Sequence, residues 1–172
     1  MSREDNIYLV GMMGAGKSSV GRLLALDMQK SFFDADEVLE ARAGADISWI
    51  FALEGEAGFR AREKNVLEEL LQADNAVVAT GGGAILHPGM KEKLRARGMV
   101  IYLHCPPQAL ARRLRHDKTR PLLQVNDKKA KLDALYQERD PLYRQAAHIL
   151  IEASGASSRA LARTLKKRLC PS

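Results

Sequence analysis

The sequence predicts an α/β fold, a three-layer sandwich in which helices cover both faces of a mainly parallel, five-stranded β-sheet. Strand-like apolar runs alternate with helical patterns along the whole chain, an order that favours parallel strands joined by crossover helices. The first of these runs leads directly into a glycine-rich loop and then into a helical pattern. Because no repeat, low-complexity stretch or composition break interrupts the 172 residues, we predict a single domain over residues 1–172.

Each predicted strand is a short run rich in apolar residues: Asn6–Val10, Ser31–Phe33, Ala76–Thr80, Met99–Leu103 and His148–Glu152. The segments between and after them have helical periodicity: roughly Lys17 to Lys30, Asp36 to Ala43, Ser48 to Leu71, Gly89 to Arg97, Gln108 to His116, Lys128 to Ala146 and Ser157 to Leu169. In such sheets ligands bind at the carboxyl ends of the strands, so the residues that follow each strand form the candidate site.

The strongest motif is a complete phosphate-binding loop that begins at Gly11, directly after the first predicted strand. Its glycines let successive backbone N–H groups turn toward a phosphate. Lys17 adds a positive charge at the β- and γ-phosphates, Ser18 offers a hydroxyl to Mg²⁺, and the next helix points its positive dipole end at the same anion. The loop therefore predicts ATP binding by Gly14, Ala15, Gly16, Lys17, Ser18 and Ser19.

Composition and charge argue against several other classes. The net charge of +6 could indicate nucleic-acid binding, but the basic clusters lack interleaved aromatic residues, and an enzyme for anionic substrates also needs positive potential. No apolar run is long enough to span a membrane, and the N-terminus lacks the pattern of a secretion signal. We therefore expect a cytoplasmic protein with neither a nucleic-acid nor a membrane partner.

The cysteines and histidines indicate no disulfide, metal site or catalytic site. Cys105 and Cys170 are far apart and lack ligand spacing, so neither a disulfide framework nor a zinc site is expected. The four histidines lie on different segments, and we assign them no function: His87, His104, His116 and His148.

Two acidic residues, Asp34 and Asp36, follow the second predicted strand. In an extended backbone an i, i+2 pair points to the same side, which would suit one residue to the Mg²⁺ shell and the other to a substrate hydroxyl. The alternative is that Asp34 caps the helix that follows. Their position after a strand in a phosphate-loop protein favours the functional interpretation.

Three consecutive glycines, Gly81, Gly82 and Gly83, follow the third predicted strand. Glycines are entropically costly to order, so the run predicts close approach of the backbone to a ligand, with a tight turn as the alternative. Further along, Arg120 lies in a polar, basic segment between two helical patterns. That segment predicts a mobile lid over about residues 115–127, with Arg120 neutralising charge on a transferred phosphoryl group.

With these motifs identified, the chain resembles the shikimate kinase family over nearly its whole length. The phosphate loop is common to many nucleotide-binding proteins, whereas four further motifs in this order are specific: Phe59-Arg60-x-x-Glu63, Thr80-Gly81-Gly82-Gly83, Arg120-Pro121-Leu122-Leu123 and Arg139-x-Pro141-Leu142-Tyr143. The resemblance implies a nucleoside-monophosphate-kinase-like fold with strand order 2-3-1-4-5. It also implies a monomer that transfers the γ-phosphate of ATP, with Mg²⁺ as cofactor, to the 3-hydroxyl of shikimate on the route to chorismate and the aromatic amino acids.

The resemblance also implies residue roles. Asp36 would bind the substrate hydroxyls and orient or deprotonate the attacking one, and Asp34 would reach Mg²⁺ through water. Arg60 and Arg139 would form a carboxylate grip, which holds the carboxylate of the substrate, and Glu63 would order Arg60. The backbone of Gly81, Gly82 and Gly83 would contact the substrate ring. The substrate-binding region would thus cover about residues 34–63. Arg113 would stack on adenine, and the catalytic residues would be Lys17, Asp36 and Arg120.

Taken without the resemblance, these arginines have simpler interpretations. Arg60 could form an i, i+3 helix salt bridge with Glu63, and Arg139 could pair with Asp140 or Glu138. Two other functions also fit the phosphate loop: a gluconate or nucleoside-monophosphate kinase of the same architecture, and a non-catalytic regulator or RNA-binding protein. The specific motifs favour a shikimate kinase over another kinase of the same architecture. The acidic pair, the lid arginine and the carboxylate grip argue against a non-catalytic regulator or RNA-binding protein.

Overall fold

Five short strands form one sheet at the centre of the computed structural model, which describes residues 5–172. They are β1 (Asn6–Val10), β2 (Ser31–Asp34), β3 (Ala76–Ala79), β4 (Gly98–His104) and β5 (Ile149–Glu152). The order is β2-β3-β1-β4-β5 and every neighbouring pair is parallel, which confirms the predicted sheet. The central strands β1 and β3 are buried throughout, as their almost entirely apolar sequences require.

The helices, in chain order, are α1 (Lys17–Met28), α2 (Ala35–Ala43), α3 (Ile47–Leu70), α4 (Met90–Arg97), α5 (Pro107–Arg113), α6 (Lys128–Ala146) and α7 (Ser158–Leu169). Helix α1 packs against α7, whereas α6 packs against α4 and α5, so the helices form two groups around the sheet. Helix α1 ends two residues before the predicted Lys30 because Gln29 adopts the left-handed conformation, with φ 56°. Helix α5 also ends early, at Arg113 rather than His116.

Helix α3 contains a break that the sequence pattern does not predict. Gly55 has φ 73° and ψ −178°, which is not helical, so the prediction of one regular helix from Ser48 to Leu71 is wrong here. Glu54, just before the break, accepts a hydrogen bond from Nε of Arg62 at 2.8 Å. The break therefore separates residues 47–54 from the rest of α3.

Two short 3₁₀ turns lie beside the site. One, Ala84–Leu86, follows the glycine run, and the other, Pro121–Leu123, lies in the predicted lid. Leu123 is fully buried, so the lid segment is anchored at this point. Within residues 5–172, none of the helices combines the length and apolar composition needed to cross a membrane.

Candidate active site

The phosphate loop forms the turn between β1 and α1. Gly14 and Gly16 have φ values of 81° and 97°, which side chains with a Cβ rarely adopt, so these positions require glycine. The buried Lys17 ammonium donates hydrogen bonds to the carbonyl oxygens of Gly11 at 2.6 Å and Met12 at 2.9 Å. Burial lowers the pKa of Lys17 to about 8, against the opposing charge of nearby carboxylates. Lys17 is therefore mostly protonated at neutral pH.

Asp34 connects the phosphate loop to α2. Its Oδ1 accepts hydrogen bonds from the backbone N–H groups of Asp36 at 2.9 Å and Glu37 at 3.1 Å, so the capping interpretation is confirmed. Its Oδ2 accepts a hydrogen bond from the Ser18 hydroxyl. The same carboxylate thus contacts the serine predicted to bind Mg²⁺.

Asp36 does not share an extended strand with Asp34, so that prediction is wrong. Strand β2 ends at Asp34, and Asp36 lies in the first turn of α2, on the wall of a cavity. Burial and, to a smaller extent, the carboxylates of Asp34 and Glu63 together raise the pKa of Asp36 to about 6, against the opposing charge of Lys17. Asp36 is therefore a stronger proton acceptor than an ordinary aspartate, yet it is largely ionised at neutral pH.

A cavity of about 550 Å³ lies between the glycine run, α2, α3, α6 and the lid. Part of its wall is apolar, with the rings of Phe51 and Phe59 only 4.8 Å apart between centroids. The cavity brings together all the residues predicted to bind the substrate, together with the lid arginine: Asp36, Arg60, Glu63, Gly81, Gly82, Gly83, Arg139 and Arg120.

Arg139 lies almost fully buried in this cavity wall, with 2% of its surface exposed. Its Nε and Nη1 atoms have no hydrogen-bond partner within the described residues 5–172. Asp140, one of the simpler partners considered for Arg139, is instead bonded to Tyr102 and Arg144. Because buried N–H groups of a guanidinium are costly to leave unpaired, this arrangement favours an anionic ligand in the cavity.

Arg60 is paired with two glutamates, Glu63 and the more exposed Glu56, and also faces the cavity. Its Nη1 donates to Oε1 of Glu63 at 2.8 Å, and its guanidinium lies over the ring of Phe59. The predicted i, i+3 salt bridge is therefore present, but the same arginine also lines the cavity. The salt bridge orients Arg60 without removing it from the binding site.

The glycine run allows charged side chains to approach the backbone. None of its residues has a positive φ, so the turn itself does not require glycine. A Cβ at Gly83 would lie 2.1 Å from Nη1 of Arg60, and one at Gly81 would lie 2.8 Å from Oε2 of Glu63. At Gly82 the nearest atom would be Nη1 of Arg139, at 3.3 Å. The run thus allows these protein side chains to lie close to the backbone. Close approach of the run to a ligand stays a prediction.

The two remaining predicted arginines bind elements beside the cavity. Arg113 donates to the carbonyls of Gly14 at 3.1 Å and Ala15 at 3.2 Å, so it supports the phosphate loop; its stacking on adenine stays a prediction. Arg120 lines the cavity while its guanidinium pairs with Asp117.

Sequence reasoning assigned no role to three residues that contact the site. The Tyr143 hydroxyl donates to the carbonyl of Gly82, Asp117 binds Arg120, and His87 lies 2.8 Å from Glu63. Tyr143 belongs to a motif identified in the sequence, and Asp117 is three residues from Arg120, so a local sequence pattern was available to predict a role for both. His87 had none.

Met13 of the phosphate loop lines the cavity, so the cavity lies directly beside the phosphate loop. This fold and this site define a phosphate-loop kinase of a small molecule. Residues 13–170 match the family model described as shikimate kinase. The chain belongs to the shikimate kinase family.

Individual relatives agree with this membership. A shikimate kinase from Halorhodospira halophila is 52% identical over 165 residues, covering 96% of this chain and 93% of the relative. One from Burkholderia pseudomallei is 55% identical over 152 residues, covering 88% of this chain and 83% of the relative. Among solved structures, shikimate kinase from Acinetobacter baumannii in complex with shikimate is similar with a TM-score of 0.93 and 48% identity, over 96% of this chain and 92% of that one.

Proposed function

We propose that the enzyme transfers the γ-phosphate of MgATP to the 3-hydroxyl of shikimate, giving 3-phosphoshikimate and ADP. The observation that carries this proposal is the buried guanidinium of Arg139, whose Nε and Nη1 have no hydrogen-bond partner among residues 5–172, in a cavity that Arg60 and Asp36 also line. Shikimate is a small carboxylate with three hydroxyls, so its pocket needs an anion grip at one end and a carboxylate acceptor at the other. The family membership and the shikimate complex of the Acinetobacter relative support the same acceptor.

The anion grip consists of Arg60 and Arg139. A guanidinium presents parallel N–H groups that match the two oxygens of a carboxylate. The substrate carboxylate would accept hydrogen bonds from the guanidinium of Arg139, whose Nε and Nη1 have no partner among residues 5–172. Backbone groups at Gly81, Gly82 and Gly83 would contact the ring, since these residues line the same cavity.

Asp36 acts on the acceptor hydroxyl. Its carboxylate, with a pKa raised to about 6 by burial, accepts a hydrogen bond from the attacking hydroxyl at neutral pH and orients its oxygen toward the γ-phosphorus. Because phosphoryl transfer has a loose transition state, this positioning is the main requirement, and the proton can move to Asp36 as the new O–P bond forms.

The phosphates are bound by the loop and the lid. Lys17 leaves the carbonyls of Gly11 and Met12 for β- and γ-phosphate oxygens, and Arg120 leaves Asp117 for the transferred group. Ser18 and, through water, Asp34 would hold Mg²⁺, which neutralises phosphate charge; a hydroxyl backed by one carboxylate fits an ion that keeps several waters and phosphate ligands. That the enzyme acts as a cytoplasmic monomer of one domain stays a prediction.

A coupled assay of ADP release tests the proposal directly. We expect turnover with shikimate and only background ADP release with gluconate, nucleoside monophosphates or no acceptor. The product should be 3-phosphoshikimate by ³¹P and ¹H NMR. Equal turnover with gluconate, or phosphorylation of another hydroxyl, would contradict the proposed acceptor and its orientation.

A further inference from the structure

His87 contacts the carboxylate grip from outside the cavity. It follows the 3₁₀ turn Ala84–Leu86, and its backbone is fixed because its N–H donates to Ala84 and its carbonyl accepts from Met90 at 3.1 Å. Its side chain is only 10% exposed, and its Nε2 lies 2.8 Å from Oε1 of Glu63. His87 is not among the described residues that line the cavity, so any effect on the substrate must pass through Glu63.

The hydrogen bond between His87 and Glu63 has a defined direction. Burial alone would raise the pKa of Glu63, but the hydrogen bonds from His87 and Arg60 outweigh burial and lower it. Because Glu63 is also paired with the guanidinium of Arg60 at 2.8 Å, it is ionised at neutral pH and can only accept. It follows that Nε2 of His87 carries the proton and donates.

Glu63 is restrained on all sides by these contacts. Its Oε1 accepts from both His87 and Nη1 of Arg60, each at 2.8 Å. Its Oε2 lies against Gly81, where a Cβ would be 2.8 Å away. If His87 is removed, Oε1 of Glu63 keeps Arg60 as its one side-chain hydrogen-bond partner within residues 5–172, and the Glu63 carboxylate loses a contact that fixes its position. The other ion pair of Arg60, with Glu56 at 3.6 Å, is to a largely exposed side chain and holds the guanidinium only loosely.

We propose that His87 is a positioning residue for substrate recognition: its imidazole holds Glu63, and Glu63 in turn directs Arg60 at the substrate carboxylate. This inference rests on the proposed function, because it assumes that shikimate is the acceptor. His87, which lies outside the cavity, would then contribute to the selection of a carboxylate-bearing substrate.

The test compares the variants His87→Leu and His87→Gln with a matched control, His104→Gln. His104 is also a histidine bonded to a glutamate, with Nδ1 2.6 Å from Glu152, and its side chain is 13% exposed, but it is not among the described cavity residues. We expect His87→Leu to weaken shikimate binding about 5- to 30-fold by calorimetry. Its kcat and its KM for ATP should change by less than about twofold, because Lys17 and Arg120 are untouched. His87→Gln, which retains an N–H donor, should recover part of the affinity, and His104→Gln should bind shikimate normally.

A second ligand separates positioning from a general structural effect. The methyl ester of shikimate lacks the charge that Arg60 recognises, so its inhibition constant should be the same in the wild type and in His87→Leu. An equal loss for shikimate and the ester, an equal rise in KM for ATP, or unchanged shikimate binding would overturn the inference.

Two further outcomes keep the test decisive. If His87→Leu does not fold, ¹⁵N NMR of the wild-type imidazole must show a proton on Nε2; a bare Nε2 would overturn the inference. If the wild type itself does not phosphorylate shikimate, the proposed function fails. An active wild type with a normal His87→Leu variant rejects only the role of His87.

Discussion

Asp36 shows at the residue scale how the position of a side chain sets its chemistry. Asp34 and Asp36 are two residues apart in the sequence, but their carboxylates have different environments. Asp34 caps α2, whereas Asp36 faces the cavity. Burial and two neighbouring carboxylates raise the pKa of Asp36 to about 6, so its ionisation falls within an accessible pH range.

The pH dependence of catalysis should report this ionisation. Because the proposed role of Asp36 requires its deprotonated carboxylate, kcat/KM for shikimate should fall about tenfold per pH unit below pH 6. Asp36→Asn should lose most activity and show no such decline in what remains. The profile of the wild type is measured with the coupled assay at saturating MgATP. A decline that begins only near pH 4 would contradict the raised pKa.

The second residue-scale prediction concerns Arg60. A lysine keeps the charge but loses the planar pair of N–H groups, so Arg60→Lys should weaken shikimate binding by roughly 1–3 kcal/mol. Binding of ATP should be nearly unchanged because Arg60 lines the substrate cavity rather than the phosphate loop. Thermal stability should change little because the lysine keeps a positive charge beside Glu63. Calorimetry measures both ligands. The matched control is Arg62→Lys, which alters an exposed pair with Glu54 and should bind shikimate normally.

The lid and the first part of α3 are linked at the scale of elements. The Ser48 hydroxyl donates to the carbonyl of Thr119 at 3.0 Å, so the segment before the Gly55 break contacts the lid directly. Within the lid, Asp117 accepts hydrogen bonds from the backbone N–H groups of Thr119 and Arg120, at 3.1 and 3.0 Å. The lid therefore has an ordered starting conformation, with its arginine paired to Asp117 rather than free.

This arrangement predicts a lid that changes on ligand binding. Amides of about residues 115–127 should exchange faster than those of α6 in the free enzyme and slow down with ADP, Mg²⁺ and shikimate together. Hydrogen exchange by mass spectrometry measures this. Exchange that is equally slow with and without ligands would contradict the lid assignment.

Arg120→Ala should reduce kcat by on the order of 100-fold while leaving shikimate affinity largely intact, because its contact develops with the transferred phosphoryl group. The control is Arg115→Ala, an exposed arginine that is not among the described cavity residues. A variant that loses shikimate binding but keeps its maximal rate would show that Arg120 belongs to the acceptor pocket instead.

Across the whole molecule, the sequence predicted the sheet better than the site. Apolar runs and helical periodicity report burial directly, so all five predicted strands are present in the structure. The strand order came from the family resemblance, and it also agrees with the structure. The break at Gly55 was missed because one glycine inside a helical pattern is usually tolerated. His87 was missed for another reason: it lies 24 residues from Glu63, and no local pattern indicates a contact over that separation.

The buried charge at Asp36 has a consequence for global stability. Its pKa is higher in the folded protein, about 6, than its ordinary value of 3.8, so folding favours the protonated form. The stability that this form contributes is fully present below about pH 4 and is lost as the pH rises through 6. Asp36→Asn should therefore raise the free energy of unfolding at neutral pH by about 1–3 kcal/mol, with little effect below pH 4.

Urea denaturation at several pH values tests this prediction in the same variant that loses activity. The control is Glu138→Gln, an exposed carboxylate on α6, which should change stability little at any pH. A lower stability of Asp36→Asn at neutral pH would mean that the carboxylate supports the fold rather than opposing it.

The break in α3 bears on how inhibitors of this enzyme could gain selectivity. Phe51 lies before the break, on a segment tied to the lid, whereas Arg139 lies on the long helix α6, with Tyr143 packed beneath the glycine run. A compound that grows toward Phe51 meets an apolar wall formed by the rings of Phe51 and Phe59 and gains by adding apolar volume. One that grows toward Arg139 meets a fixed wall and gains only if it presents an anion. Added volume and added charge therefore belong on opposite ends of the same ligand.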